Sequence, residues 1–155
     1  MANRRFPLFI DLTGRKAVVI GGGTVGLRRA RLLRRFGAEV VVISPALADD
    51  AGELRWLQRA YRPGDLEGAY LAVAASDCPE VNAAAEREAR TLGVLFNRSD
   101  CPSGCDFFFP AICEGEGLTA GLVGDGSDHR RVARAAQAVR ALLGSYENVH
   151  QEEDK

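Results

Sequence analysis

Residues 97–110 read NRSDCPSGCDFFFP, a polar run with two acids and two cysteines that ends in three phenylalanines. Three kinds of behaviour fit those types at that spacing. Asp100 can serve as a general base: a wall formed by Phe107, Phe108 and Phe109 would strip water from its carboxylate, raise its pKa and make it a better proton acceptor. The cysteines offer a metal reading, drawing on Cys101, Cys105, Cys113 and either Cys78 or His129. A structural zinc site needs about four ligands at recognisable spacing, however, and no C-x-x-C occurs anywhere. The plainest reading is a turn, because Asp-Cys-Pro-Ser-Gly is turn chemistry with or without a function added.

A second motif lies near the front. In VVIGGGTVGLRRA, the run Gly21-Gly22-Gly23-Thr24-Val25-Gly26 joins an apolar β-branched stretch to a helical one. Gly21 permits a tight turn, Gly23 lets backbone approach a pyrophosphate, and Gly26 lets helix and strand pack closely. The phosphates then meet unpaired N–H groups at the positive end of the helix. The acid that often closes the second strand and holds ribose hydroxyls is replaced by Ser44, followed by Pro45 and Ala46. Ser44 can still bond a ribose hydroxyl, and no arginine adjoins it to welcome a 2′-phosphate, so NAD is the expected cofactor. Arg28 and Arg29, early in the following helix, can meet cofactor phosphate or a polyanionic substrate, whereas Arg34 and Arg35 read as a solvated face.

Both motifs need elements to hold them. Short apolar strands are expected at 16–20, 38–43, around 55–61, at 71–75 and from 94. Helices are expected from the glycine loop to Phe36, stopped by Gly37, and across SDCPEVNAAAEREARTLG, capped by Ser76 or Asp77 and closed by Gly93. Strands too uniformly apolar to have a wet face, alternating with helices, imply a doubly wound parallel α/β sheet of Rossmann type. Ligands bind outside the carboxyl ends of such strands, which puts Asp100, Ser76 and the glycine loop on one crevice. After Phe96 the rhythm changes to a β-hairpin, a loop holding His129, and a helix over 130–143, with a charged tail beyond. The division expected is a nucleotide-binding domain over 1–106 and a small appendage over 107–155. The appendage is too small for its own core and should pack on a second copy of the chain.

The totals exclude some classes. With 20 Lys and Arg against 21 Asp and Glu, the formal charge of −1 gives no field for nucleic acid or an anionic membrane. The N-terminal residues show no signal-peptide stretch and no segment has the length of a membrane span, so the expected location is the cytoplasm, with its cysteines reduced. No Tyr-x-x-x-Lys pair exists, which disfavours a short-chain dehydrogenase.

FPLFIDLTGRKAVVIGGGTVGLRRARLL, LAVAASDCPEVN, FNRSDCPSGCDFFFPAI and GLTAGL, in that order, resemble the precorrin-2 dehydrogenase family, the dehydrogenase/ferrochelatase module of siroheme synthases. The resemblance runs from about Phe6 to Arg140. It implies NAD-dependent oxidation of precorrin-2 to sirohydrochlorin on a Rossmann domain with a dimerising appendage. In some members it also implies insertion of ferrous iron. The family's catalytic aspartate, in N-x-x-D, matches Asp100, and its nucleotide contacts match Thr24, Val25, Pro45 and Ala46. A substrate with many carboxylates gives Arg28, Arg29, Asn97 and Arg98 a purpose. Where the family has a hydroxyl-rich loop, this chain reads VGDGSDH, leaving Ser127 to supply that contact. A different class remains open, a regulatory module that binds NAD without turnover.

Overall fold

In a computed structural model, residues 5–145 are described; the charged tail with His150 lies outside them. The described residues fall into two compact units. One is Ile10–Phe107, and the other joins residues 5–9 to residues 108–145. The division expected after residue 106 therefore falls one residue later, and residues 5–9 part from the nucleotide-binding domain. The physical reason is Arg5, whose guanidinium donates to the Gly124 carbonyl and lies 3.9 Å above the Phe108 ring.

The first unit carries β1 (Lys16–Ile20), α1 (Thr24–Arg35), β2 (Glu39–Ile43), β3 (Arg55–Leu57), β4 (Leu71–Ala74), α2 (Pro79–Leu92) and β5 (Leu95–Arg98). Its five strands are all parallel, in the order β3-β2-β1-β4-β5. The order reverses between β1 and β4, the topological switch point where open α/β sheets bind nucleotides. Burial follows from the sequence pattern. Val18, Val19, Val42, Val73 and Ala72 are fully enclosed, as a sheet covered on both faces requires. α1 turns Leu27, Ala30 and Leu33 inward, and α2 turns Ala85 and Ala89 inward, at helical spacing. The alanines let α2 lie close on Val18, Ala72, Ala74 and Phe96.

The helix stops behave as their residues dictate. Gly37 follows α1 at φ 87°, and Gly93 closes α2 in the left-handed conformation. The start of α2 differs from expectation: its N-cap is Cys78, without a side-chain cap bond. Ser76 is held elsewhere, its N–H donating to Asn82 Oδ1 and its carbonyl accepting from Asn82 Nδ2, while its hydroxyl oxygen accepts the Cys78 N–H.

In the second unit β6 (Ala111–Gly115) pairs antiparallel with β7 (Leu118–Leu122), and α3 (His129–Ser145) covers them. Glu116 and Gly117 both have positive φ, the two-residue turn that suits a right-twisted hairpin. His129, expected in a loop, is the first residue of α3, because the Asp128 carboxylate accepts the Arg131 N–H and starts the helix one residue earlier. The core here is thin, with Cys113, Ala136 and Leu143 buried. Phe6, Leu8, Phe9 and Leu142 all stand exposed.

Candidate functional site

The strand register sets the crevice. Ile20 pairs with Ile43 on one side and Ala74 on the other, and Ala74 pairs with Arg98, so four strands end at one level. Each ladder then runs one bond further, from Gly21 N–H to the Ile43 carbonyl, Ala75 N–H to Ile20, and Ser99 N–H to Ala74. The segments that emerge side by side are the glycine loop, Ser44-Pro45-Ala46, Ala75-Ser76 and Ser99-Asp100.

The glycine loop is shaped by what a side chain would strike. Gly21 has φ 107°, and a Cβ there would lie 2.3 Å from the Ala75 carbonyl oxygen. A Cβ on Gly26 would lie 2.1 Å from the Gly21 carbonyl oxygen, so α1 can sit against the loop only with glycine at that position. Gly22 ties the loop to the segment after β2, where its carbonyl accepts the Ala48 N–H. Gly23 is different, because nothing lies within 4 Å of where its Cβ would be. It is the N-cap of α1 and offers no side chain to the first helical N–H groups, and no acid occupies the first turn. Thr24 and Val25 come next, both exposed. The result is an open, positive, donor-rich helix start, which fits a pyrophosphate.

On the β2 side, Ser44 is buried and its hydroxyl donates to the Ala46 carbonyl at 2.7 Å. That proton is committed, which leaves the oxygen's lone pairs for a ribose hydroxyl. Pro45 and Ala46 are exposed at the crevice edge. Nearby, Arg31 is tied to Asp49 at 2.8 Å and to the Asp50 carbonyl at 2.7 Å.

The β5 side is built from side chains. Asn97 is 3% exposed, with Nδ2 donating to the Phe107 carbonyl at 2.7 Å and to Cys105 Sγ at 3.4 Å. Its Oδ1 accepts from Arg29 at 2.8 Å, so that arginine turns inward from α1 toward β5, while Arg28 stays exposed. Burial pushes the Arg29 pKa down, with Arg28 adding repulsion. Asp106, the second acid of the motif, exchanges bonds with the Phe96 backbone and holds the returning chain on the edge strand. A 3-10 turn over Pro102–Gly104 confirms the turn character of the segment. Ser127 lies in the second unit, its hydroxyl donating to Asp125 at 2.6 Å.

Asp100 itself departs from expectation. The raised pKa does not occur: the Arg98 guanidinium grips both carboxylate oxygens, at 3.0 and 2.8 Å, and holds the group down at about 2. Burial acts the other way but is weaker, since the side chain is 31% exposed, and the Asn82 amide adds to the lowering. Of the three phenylalanines of the expected wall, Phe107 belongs to this unit and Phe108 and Phe109 to the second. Asp100 is thus a fully ionised acceptor at neutral pH. Cys101 and Cys105 diverge, the first thiol pulled down by its contact with Ser103, the second pushed up by burial. Among the described residues no three His, Cys, Asp or Glu side chains gather as a metal site.

Two residues of this site escaped the sequence reading, Asn82 and Glu86. Asn82 is fully buried on the alanine face of α2, where it clamps Ser76. The signal was there, a polar residue three and seven positions before Ala85 and Ala89 on the stripe that meets the core. Glu86 pairs with Arg98 at 2.8 Å, a partnership between distant elements that no local pattern announces.

Residues 8–111 match the family model described as "Putative NAD(P)-binding". Among curated proteins, the "Siroheme synthase" of Azotobacter vinelandii is 41% identical over 138 residues, 85% of this chain and 30% of that protein. The "Probable multifunctional siroheme biosynthesis protein HemA" of Ruminiclostridium josui is 35% identical over 145 residues, 89% of this chain and 28% of its own length. The chain thus spans less than a third of these relatives. A solved structure titled "SirC, precorrin-2 dehydrogenase" superposes with a TM-score of 0.74 at 23% identity, covering 95% of this chain and 76% of the other, and so shares the fold. No helix among the described residues is long and apolar enough to cross a membrane. With the glycine loop, the switch point and the family match in agreement over the same residues, the chain belongs to this NAD(P)-binding family and is similar to a part of siroheme synthases.

Proposed function

We propose that this chain oxidises precorrin-2 to sirohydrochlorin, using NAD, in siroheme biosynthesis. The observation that carries the reading is the shared level of the glycine loop and Asp100 across the switch point. Two strand spacings separate β1 from β5, roughly 10 Å, which suits a nucleotide anchored at the loop with its reactive end toward β4 and β5. Thr24 and Val25 would meet the pyrophosphate at the start of α1, with Ser44, Pro45 and Ala46 along the adenosine half and Ser76 toward the nicotinamide half. NAD is preferred over NADP because Arg31, the α1 arginine that reaches the loop after β2, is spent on Asp49.

Bound in the crevice, the nicotinamide supplies a two-electron acceptor. The oxidation removes a hydride and a proton from the macrocycle. Asp100, ionised and partly exposed, receives the proton, and its low basicity releases that proton onward to water. Arg28, exposed in the first turns of α1, would meet a substrate rich in carboxylates. Sirohydrochlorin formed there would also be placed for insertion of ferrous iron, with the same carboxylate accepting pyrrole protons. The second unit, with Phe6, Leu8, Phe9 and Leu118 exposed, serves as a homodimer surface.

Anaerobic incubation with precorrin-2 and either nucleotide should raise sirohydrochlorin absorbance, faster with NAD. Ferrous ion added afterwards tests insertion in the same cuvette. Folded protein that binds NAD but yields no absorbance with either nucleotide would support the sensor reading instead. For the dimer, Leu118→Glu should halve the mass measured by sedimentation, and an unchanged dimer would remove that surface.

A further inference from the structure

All three outward nitrogens of the Arg98 guanidinium face acids. Nε and Nη2 hold the two oxygens of Asp100, and Nη1 holds Glu86 Oε2 at 2.8 Å. The other Glu86 oxygen takes Arg90 from one turn further along α2, at 3.0 Å. Arg98 is the least exposed partner of this chain of ion pairs, with 12% of its side chain open to solvent. The turn after β5 closes over it: a Cβ on Gly104 would lie 2.9 Å from Glu86 Oε2 and 3.1 Å from Arg98 Cδ.

We propose that Arg98, backed by Glu86, is a positioning residue that fixes the Asp100 carboxylate in one orientation at the crevice, and is not a contact for substrate carboxylates. This rests on the reading of Asp100 as the proton-handling group. A strand-end aspartate otherwise turns about two side-chain torsions. A forked guanidinium grips both oxygens at once and removes that freedom, which a point charge cannot do. Glu86 in turn holds Arg98 back from an anionic ligand, since leaving would cost this mostly buried carboxylate its less exposed partner and leave it only Arg90. The groups that face Asp100 are Arg98 from β5, Asn82 from α2 and, through Arg98, Glu86 with Arg90; Cys101 adjoins it along the chain.

The test compares wild type with Arg98→Met, Arg98→Lys and Glu86→Gln, reading the Asp100 carboxyl titration by carbon NMR alongside kcat and KM for precorrin-2. Arg98→Met should move the Asp100 midpoint up from about 2 toward that of an ordinary aspartate. Misplacing a reacting group should lower kcat about 10- to 100-fold while KM changes less than about twofold. Arg98→Lys should restore the charge effect in part but little of kcat. Glu86→Gln should act in the same direction as Arg98→Met and more weakly, and it carries the test if Arg98→Met does not fold. A raised KM with kcat unchanged, or an unmoved Asp100 midpoint, overturns the proposal. If wild type does not turn over precorrin-2, the proposed reaction fails, and the NMR titration still decides whether Arg98 controls Asp100.

Discussion

The two flanks of the crevice are made of different materials. The β1–α1 flank is backbone: glycines at van der Waals limits, a donor-rich helix start and no acidic side chain in the first turn. The β5 flank is side chain: Arg98 ion-paired with Glu86 and Asp100, with Asn82 bonded to Ser76 and Asn97 to the Phe107 carbonyl. A backbone flank offers fixed dipoles that do not titrate, and at Gly21, Gly22 and Gly26 it tolerates no added atom. A side-chain flank can be tuned by charge and pH, and it loses function in steps.

The largest break should come at Gly21→Ala, where a Cβ meets the Ala75 carbonyl in a conformation L side chains avoid. A cost of about 3 kcal/mol or more is expected, seen as a lowered Tm together with loss of NADH fluorescence binding. Unchanged binding would show the loop less confined than its geometry indicates. Asp100→Ala, on the other flank, should leave NADH affinity within about twofold and cut turnover by roughly 10² to 10⁴. If both fall together, the flanks are not separable.

A third effect concerns acid. Because the native Asp100 pKa is depressed, its stabilising contribution is complete above the unfolded carboxylate pKa and fades as pH falls toward about 2. Wild type should therefore exceed Asp100→Asn in stability at neutral pH, on the order of 1 kcal/mol after allowing for partial exposure, with the gap closing below about pH 3. Urea unfolding of both proteins across that range measures it. The smallest effect is Gly104→Ala, whose methyl meets the movable end of Glu86. The side chain can give, so a loss below about 1 kcal/mol is expected, with a slight rise in the Asp100 midpoint.

The parallel sheet, its helices and the loop at the switch point were legible because their signals are local and periodic. Uniformly apolar strands, a glycine run between strand and helix, and Gly37 and Gly93 as stops all act within a few residues. The N-terminal residues were not legible in this way. They were assigned to the nucleotide-binding domain over 1–106, yet residues 5–9 cluster with 108–145, where Arg5 donates to the Gly124 carbonyl.

For the site, the sequence by itself determined which segments emerge together. Once strands are parallel and in register, the residues next after Ile20, Ile43, Ala74 and Arg98 must emerge at one edge. Only the tertiary structure decided the state of the groups they carry. Arg98 lies two residues before Asp100, but the folded chain decides that its guanidinium grips that acid while Glu86 of α2 takes its third nitrogen. That grip, with Asn82 of α2 adding to it, turned an expected rise in basicity into a fall. Hydrophobic periodicity acts along the chain, whereas a pKa is set by whichever charges folding brings within a few ångströms.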